Sequence, residues 1–264
     1  MSAYELKLKA ADYIFPEPLI EGLILKRPNR FIMEVLVDGA VTKAHCPNTG
    51  KIGSIVFDRI PALLSYHPGP NRKMKWTVEA ISFDKPEKKD KYWIGVNTSA
   101  TNRYVEHFLK HGMLNDIVEV RVPTQVKREK KLGDARIDFK VGDTYLEVKT
   151  WTQIIEKRVP DWIEQRPFKA HEFSGGERLI KHATALADGL KDHQRCVMLS
   201  CYQYVPDRGD DILPIDYGEL YSDTKPIVEA FDRAHELGVE SWDCYMELDP
   251  ERVRLVSYQR DDWR

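Results

Sequence analysis

Cysteine is scarce and unpatterned: Cys46, Cys196, Cys201 and Cys244 form no C-x-x-C pair and keep no regular spacing. That argues against a zinc knuckle or a disulfide framework and points to a reducing cytoplasm. Long apolar runs are missing too. The opening Met1 to Glu5 lacks a basic region followed by an apolar stretch, so the expectation is a soluble cytosolic chain. Neither repeats nor low-complexity tracts interrupt the sequence. Net charge is also small, at -2, which argues against a protein that coats a polyanion through bulk charge.

Charge is unevenly placed, however. Residues 1–90 carry a net +3, residues 91–202 a net +4 and residues 203–264 a net -9, so an acidic tail hides a basic front. With 264 residues, 42% of them apolar, the chain can bury a good core as one large domain or a small plus a medium one.

From Leu19 to Ile81, short alternating stretches such as Phe31 to Val37 are broken by Asp38-Gly39, Pro47 to Gly50 and Pro68-Gly69-Pro70, the pattern of a small all-β unit. The charged, proline-containing segment Asp84 to Lys91 reads as a linker or a long hairpin tip, and the domain boundary is placed there. Beyond it the pattern is mixed. Strands are expected near Tyr92 to Val96, Ile117 to Val122, Ala135 to Val141 and Tyr145 to Thr150, with a helix from about Asn102 to His111. Leu179, Ala183, Leu186 and Leu190 recur at helical spacing after Gly175-Gly176. They are followed by a strand around Cys196 to Tyr204, a helix around Pro226 to Leu237 and two closing strands.

Chemistry concentrates at the Gly142-Asp143 turn. Ile137, Phe139, Val141, Leu146 and Val148 follow the apolar alternation, so one face of this hairpin is expected to be core. Asp138, Glu147 and Lys149 fall on the other face, where pairing across the turn brings two carboxylates and an ammonium together. A hard cation such as Mg²⁺ or Mn²⁺ takes a few oxygen ligands and keeps water and phosphate oxygens in its shell. Asp138, Glu147 and the Val148 carbonyl would supply that set, with Lys149 orienting or deprotonating a water. The bland alternative is a solvated cross-strand salt bridge. Glu5 to Lys7, Glu87 to Lys89 and Glu129 to Lys131 repeat the same E-x-K spacing, so only strand context and the paired aspartate set the Glu147 copy apart.

Several strings occur in a fixed order: Leu19 to Gly22, Arg30-Phe31, Ala44-His45-Cys46-Pro47-Asn48-Thr49-Gly50, Asn71-Arg72-Lys73, Gly95 to Thr98 and Asn102-Arg103. Arg136-Ile137-Asp138-Phe139, Glu147-Val148-Lys149 and Glu177 to His182 come after them. Over nearly its whole length the chain resembles the bacterial and archaeal sugar fermentation stimulation protein A family. The resemblance implies an α/β (α+β) two-domain chain: an OB-like β-barrel over residues 1–85, then a PD-(D/E)XK nuclease-like mixed sheet flanked by helices over residues 86–264. It further implies DNA binding of low sequence specificity and a proposed DNA and RNA nuclease activity dependent on Mg²⁺ or Mn²⁺. An older view treats the family as a regulator of sugar (maltose) metabolism. This chain departs from the family pattern at Thr150 to Gln153, at Lys131 to Asp134 and in an insertion of some twelve residues before Glu177.

Other residues are weighed beside that centre. Glu106, on the flank of its helix, is a candidate further metal ligand or a solvated acid. Arg178, Lys181 and His182 form a candidate basic ridge for phosphate contacts, or an ordinary exposed helix face. In the barrel, Lys26, Arg27, Arg30, Arg72 and Lys73 are interleaved with Phe31, Tyr66 and Trp76, the mixture that holds single strands on OB folds; plain basic strand edges look the same. Pro47 to Gly50 reads as a turn whose further role is unassigned.

Overall fold

The computed structural model describes residues 11–70, 72–166, 176–192, 195–207 and 217–261. Asn71, Gly175 and most of the insertion before Glu177 lie outside the described residues. A two-residue strand, β1 (Tyr13–Ile14), is the first described and pairs with the far end of the chain.

Period-two alternation builds the barrel. β2 (Ile20–Asn29) is followed by β3 (Ile32–Val37), where Met33, Val35 and Val37 are buried and their neighbours only partly so, as expected of a strand with one face on a core. Asp38 and Gly39, both at positive φ (50° and 76°), turn the chain into β4 (Ala40–His45), a two-residue hairpin that needs that conformation. β5 (Ile60–Tyr66) and β6 (Trp76–Ile81) complete the order β4-β3-β2-β5-β6, and β4 pairs with β6 to close the barrel. β7 (Ile94–Gly95) adds to β6.

The second sheet runs β1-β13-β12-β11-β10-β9-β8. Its strands are β8 (Val126–Leu132), β9 (Ala135–Val141), β10 (Thr144–Thr150), β11 (Arg195–Tyr202), β12 (Glu240–Leu248) and β13 (Arg252–Arg260). β10, β11 and β12 are parallel, and β9 and β13 flank them antiparallel. Helix α1 (Thr101–Lys110) covers one side. Its Tyr104, Val105, Phe108 and Leu109 are fully buried and share a core with Phe139, Leu146 and Val148; each such large side chain contributes about 1.5–3 kcal/mol over leaving it exposed. Helices α2 (Gly176–Gly189) and α3 (Tyr217–Glu236) cover the other side, where Ala183, Leu186 and Phe231 pack with Ile137, Tyr145 and Met198.

β7 belongs with the barrel and β1 with the second sheet; two-residue strands carry no periodicity to read. Two expectations change. No strand forms at Ile117 to Val122. The strand lies instead at β8, where only Val126 and Leu132 are buried and the five residues between are exposed: a charged edge strand, protected from stray pairing by its lysines and lacking alternation. Lastly, the β9-β10 hairpin has core on both faces. Ile137 packs towards α2 and Phe139 towards α1, so alternation breaks at Asp138.

Barrel and sheet meet at Gly95, whose amide donates to the Gln203 carbonyl at 2.9 Å. A methyl group there would collide with the Cβ and amide of Gln203. Gly95→Ala is therefore expected to cost about 1–3 kcal/mol, measured as a shift in the urea unfolding midpoint at unchanged m.

Candidate metal centre

β9 and β10 part where the site lies. Pairing of β9 with β10 covers Val141↔Thr144, Lys140↔Tyr145 and Phe139↔Leu146, and the next backbone groups are met by carboxylates. The Val148 amide donates to Asp138 Oδ2 at 2.9 Å, and the Asp138 amide donates to Glu147 Oε2 at 3.3 Å. Side-chain oxygens thus satisfy amides that a continued ladder would have used. A strand residue sends its N–H and C=O out on the same side, so the Val148 carbonyl also leaves β10 on the Asp138 side.

Asp138 Oδ1 accepts from Asn102 Nδ2 of α1 at 2.8 Å. That helix is fixed in turn: Thr101 Oγ1 accepts from Thr150 Oγ1 at 2.8 Å and from Gln203 Nε2 at 2.9 Å. Glu147 is 1% exposed. Its Oε1 accepts from Lys149 Nζ at 2.6 Å and meets His182 Nδ1 of α2, which itself lies 3.2 Å from Lys149 Nζ.

The two acids differ electrostatically. Burial, then the neighbouring Glu147 charge, pushes Asp138 up to about 6 against the pull of its hydrogen bonds. Burial also pushes Glu147 up, but the His182 contact and the Lys149 charge outweigh it and hold Glu147 below its ordinary value. One carboxylate already has the Lys149 ammonium and the His182 ring against it. The other carries an unrelieved cost that a cation would remove.

Asp138, Glu147, Val148 and Lys149 therefore come together. Glu106 does not join them. It sits one turn beyond Asn102 with its carboxylate on Lys110 (2.7 Å) and Arg128 (3.3 Å), so the helix offers the centre an amide instead of an acid. In the sequence Asn102 stood out only as a helix start and as part of the Asn102-Arg103 string. His182 separates from Arg178 and Lys181: they are exposed on α2, whereas His182 is 4% exposed against Glu147 and Lys149. Among the described residues no three carboxylate, imidazole or thiol side chains gather as a metal-ligand set. Asp138, Glu147 and the Val148 carbonyl would offer two carboxylates and a carbonyl, a set that fits a hard cation keeping part of its water shell.

On the barrel, Arg30 and Lys73 are exposed, Lys26 is paired with Glu34 at 3.1 Å, and Arg72 donates to Met74 O and Thr77 Oγ1. Phe31 and Tyr66 are 49% and 45% exposed, and Tyr66 sits 4.7 Å, centroid to centroid, from Trp76. Arg27 turns inward. Its Nη2 donates to the carbonyls of Asn48 (2.8 Å), Gly50 (2.9 Å) and Arg30 (3.0 Å), while Asn48 Nδ2 reaches Thr152 Oγ1 at 2.8 Å and Val96 O at 3.3 Å. The Ala44 to Gly50 motif is thus a brace from the barrel to Thr152, just past the end of β10 and three residues past Lys149. No described helix is long and apolar enough to cross a membrane.

A closed OB-like barrel fused to a mixed sheet with paired carboxylates at its centre defines a two-domain architecture, and comparison with known proteins agrees. Residues 25–96 match the family description "SfsA N-terminal OB domain". The chain is 31% identical over 255 residues to a sugar fermentation stimulation protein homolog of Synechococcus sp. (strain JA-3-3Ab), covering 92% of each. With the homolog of Methylobacterium nodulans identity is 30% over 250 residues, covering 91% of this chain and 95% of the relative. The chain belongs to the sugar fermentation stimulation protein family. Its fold matches that of Pyrococcus furiosus SfsA, solved in complex with Ca²⁺, with a TM-score of 0.64 at 17% identity over 94% of this chain and 97% of that one.

Proposed function

We propose that the chain is a nucleic-acid-binding protein whose central site is a divalent-metal phosphodiesterase of low sequence specificity, of the PD-(D/E)XK nuclease type, acting on DNA or RNA in the cytoplasm. The observation that carries this reading is the meeting of Asp138, Glu147 and Lys149 where β9 and β10 part, with Asp138 held at about 6 by burial and by Glu147. The Ca²⁺ bound by the Pyrococcus relative supports a divalent ion.

Asp138, Glu147 and the Val148 carbonyl would hold Mg²⁺ or Mn²⁺, which when bound polarises a phosphate oxygen and lowers the pKa of water. Lys149, 2.6 Å from Glu147, would orient or deprotonate the attacking water or meet developing negative charge. Asn102 positions Asp138, and His182 steadies Glu147 and Lys149. Arg30, Lys73 and the Tyr66–Trp76 pair, joined by Arg178 and Lys181 on α2, hold the backbone and bases.

A rival reading, a DNA-binding regulator of sugar metabolism without turnover, draws on one specific feature: Glu147 is already satisfied by Lys149 and His182. Labelled single- and double-stranded DNA and RNA, incubated with Mg²⁺, Mn²⁺ or EDTA beside Asp138→Ala, separate the two. Metal-dependent cutting lost in Asp138→Ala is expected; cutting that survives both EDTA and the substitution sinks the nuclease reading. Asn102→Ala is expected to weaken Mn²⁺ binding by about 10–100-fold, read by calorimetry.

A further inference from the structure

Resting on the reading of this protein as one that grips nucleic acid, we propose that a second cleft, on the barrel flank, makes it a binder of unpaired strands. The cleft measures about 690 Å³ and is walled by Lys26 and Arg27 of β2, by Lys51 and by Arg166. Of these, Lys26 is paired with Glu34 and Arg27 is held on backbone carbonyls, so Lys51 and Arg166 are the rim cations the proposal uses. Ile55 and Phe57 supply an apolar floor, with Phe57 half-buried against the barrel core.

Its walls are built, not loose. The Arg166 amide donates to Ser54 O at 2.8 Å and the Val56 amide to Glu164 O at 2.8 Å, so residues 164–166 lie alongside 54–56 as an added edge. Beneath them, Ile155 and Ile163 are buried in the barrel core. Lys51 and Gly53 are tied to the segment just past β10: Thr152 Oγ1 donates to Lys51 O at 3.3 Å, and the Gly53 amide donates to Thr152 O at 2.8 Å. Thr152 follows Lys149 by three residues, so their Cα atoms are at most about 11 Å apart, a span of a few nucleotides.

Cations around an apolar, ring-bearing floor match a phosphate joined to a flat base, and the volume lies within the ~300–1,000 Å³ of clefts that enclose small ligands. A base in a duplex has both faces covered by its neighbours; only an unstacked base can lie on Phe57 while its phosphates meet the rim. The cleft therefore selects single strands or frayed ends and holds them a few nucleotides from Asp138 and Glu147.

The test is fluorescence anisotropy with a labelled oligothymidylate and a duplex of equal length, titrated over a range of KCl in EDTA. Intact protein is compared with Lys51→Ala/Arg166→Ala, with Arg166→Glu, and with Lys85→Ala/Lys89→Ala as a matched loss of charge elsewhere. Loss of two phosphate contacts is expected to weaken single-strand binding by about tenfold or more and to flatten the slope of log K against log salt by about 1.4. Duplex binding should be weaker throughout and unmoved by these cleft substitutions. Unchanged single-strand affinity and slope, an equal loss in the Lys85/Lys89 control, or duplex bound as tightly as single strand would overturn the proposal. So would complete displacement of the oligonucleotide by thymidine monophosphate at equal nucleotide concentration, which assigns the cleft to a free nucleotide. Because EDTA removes turnover, cleft-dependent binding without cleavage in any metal would sink the nuclease reading and leave this one standing.

Discussion

Asp138→Asn is expected to make the metal-free protein more stable at neutral pH while abolishing metal-dependent activity. Burial and the Glu147 charge raise Asp138 to about 6 in the folded state, against about 3.9 unfolded. A raised acid binds its proton more tightly when folded, so its contribution is fully favourable below pH ~4 and is lost as pH climbs through about 6. At pH 7 the ionised carboxylate costs on the order of 3 kcal/mol by that difference. Asparagine keeps an oxygen for the Val148 amide and removes the charge, and its amino group is met once the Asn102 amide turns to present its oxygen. The gain should appear as a higher urea midpoint at pH 7 and vanish at pH 4; equal stability of the two proteins at pH 7 would refute the electrostatic account. Adding Mn²⁺ should then stabilise the parent and leave the variant unmoved.

Glu147→Ala is expected to do the opposite. Lys149 and His182 both lean on Glu147 Oε1, and the Asp138 amide leans on Oε2. Removing the carboxylate strands an ammonium that is only 11% exposed. Breaking one partner out of a buried ion pair costs about 3–5 kcal/mol, so denaturant unfolding at pH 7 should lose that much. Glu147 is held below its ordinary value. Its contribution is therefore present above the unfolded pKa and is lost as pH falls through the folded one, and the gap between parent and variant should narrow in acid. A loss below about 1 kcal/mol at pH 7 would show that Glu147 is not the hub of this cluster. Two acids side by side thus carry opposite stability signs, the reverse of what two equivalent solvated carboxylates would give.

The barrel was readable because Met33, Val35 and Val37 alternate against one core. Asp138, Glu147 and Lys149 were readable because a glycine turn fixes which residues oppose one another. What escaped lacked periodicity. β8 is five exposed, charged residues between two buried ones, and β1 and β7 are two residues each. His182 escaped for another reason: four residues from Arg178, it reads as part of a solvated ridge, and only the buried Glu147 beneath α2 explains its inward turn. Glu106 misled by a single helical turn, since helix phase alone cannot say whether Asn102 or Glu106 lies over the parting strands.

The brace formed by Asn48 and Arg27 has one more consequence. Asn48 is held by Arg27 on the barrel and holds Thr152 and Val96 in turn, so the barrel and the segment just past Lys149 are tied together at that point. The offset between them behaves as a gauge block. Under the proposed activity, fragments released from a long strand would have a preferred minimum length, and loosening the brace by Asn48→Ala would blur that length before it slowed the cutting.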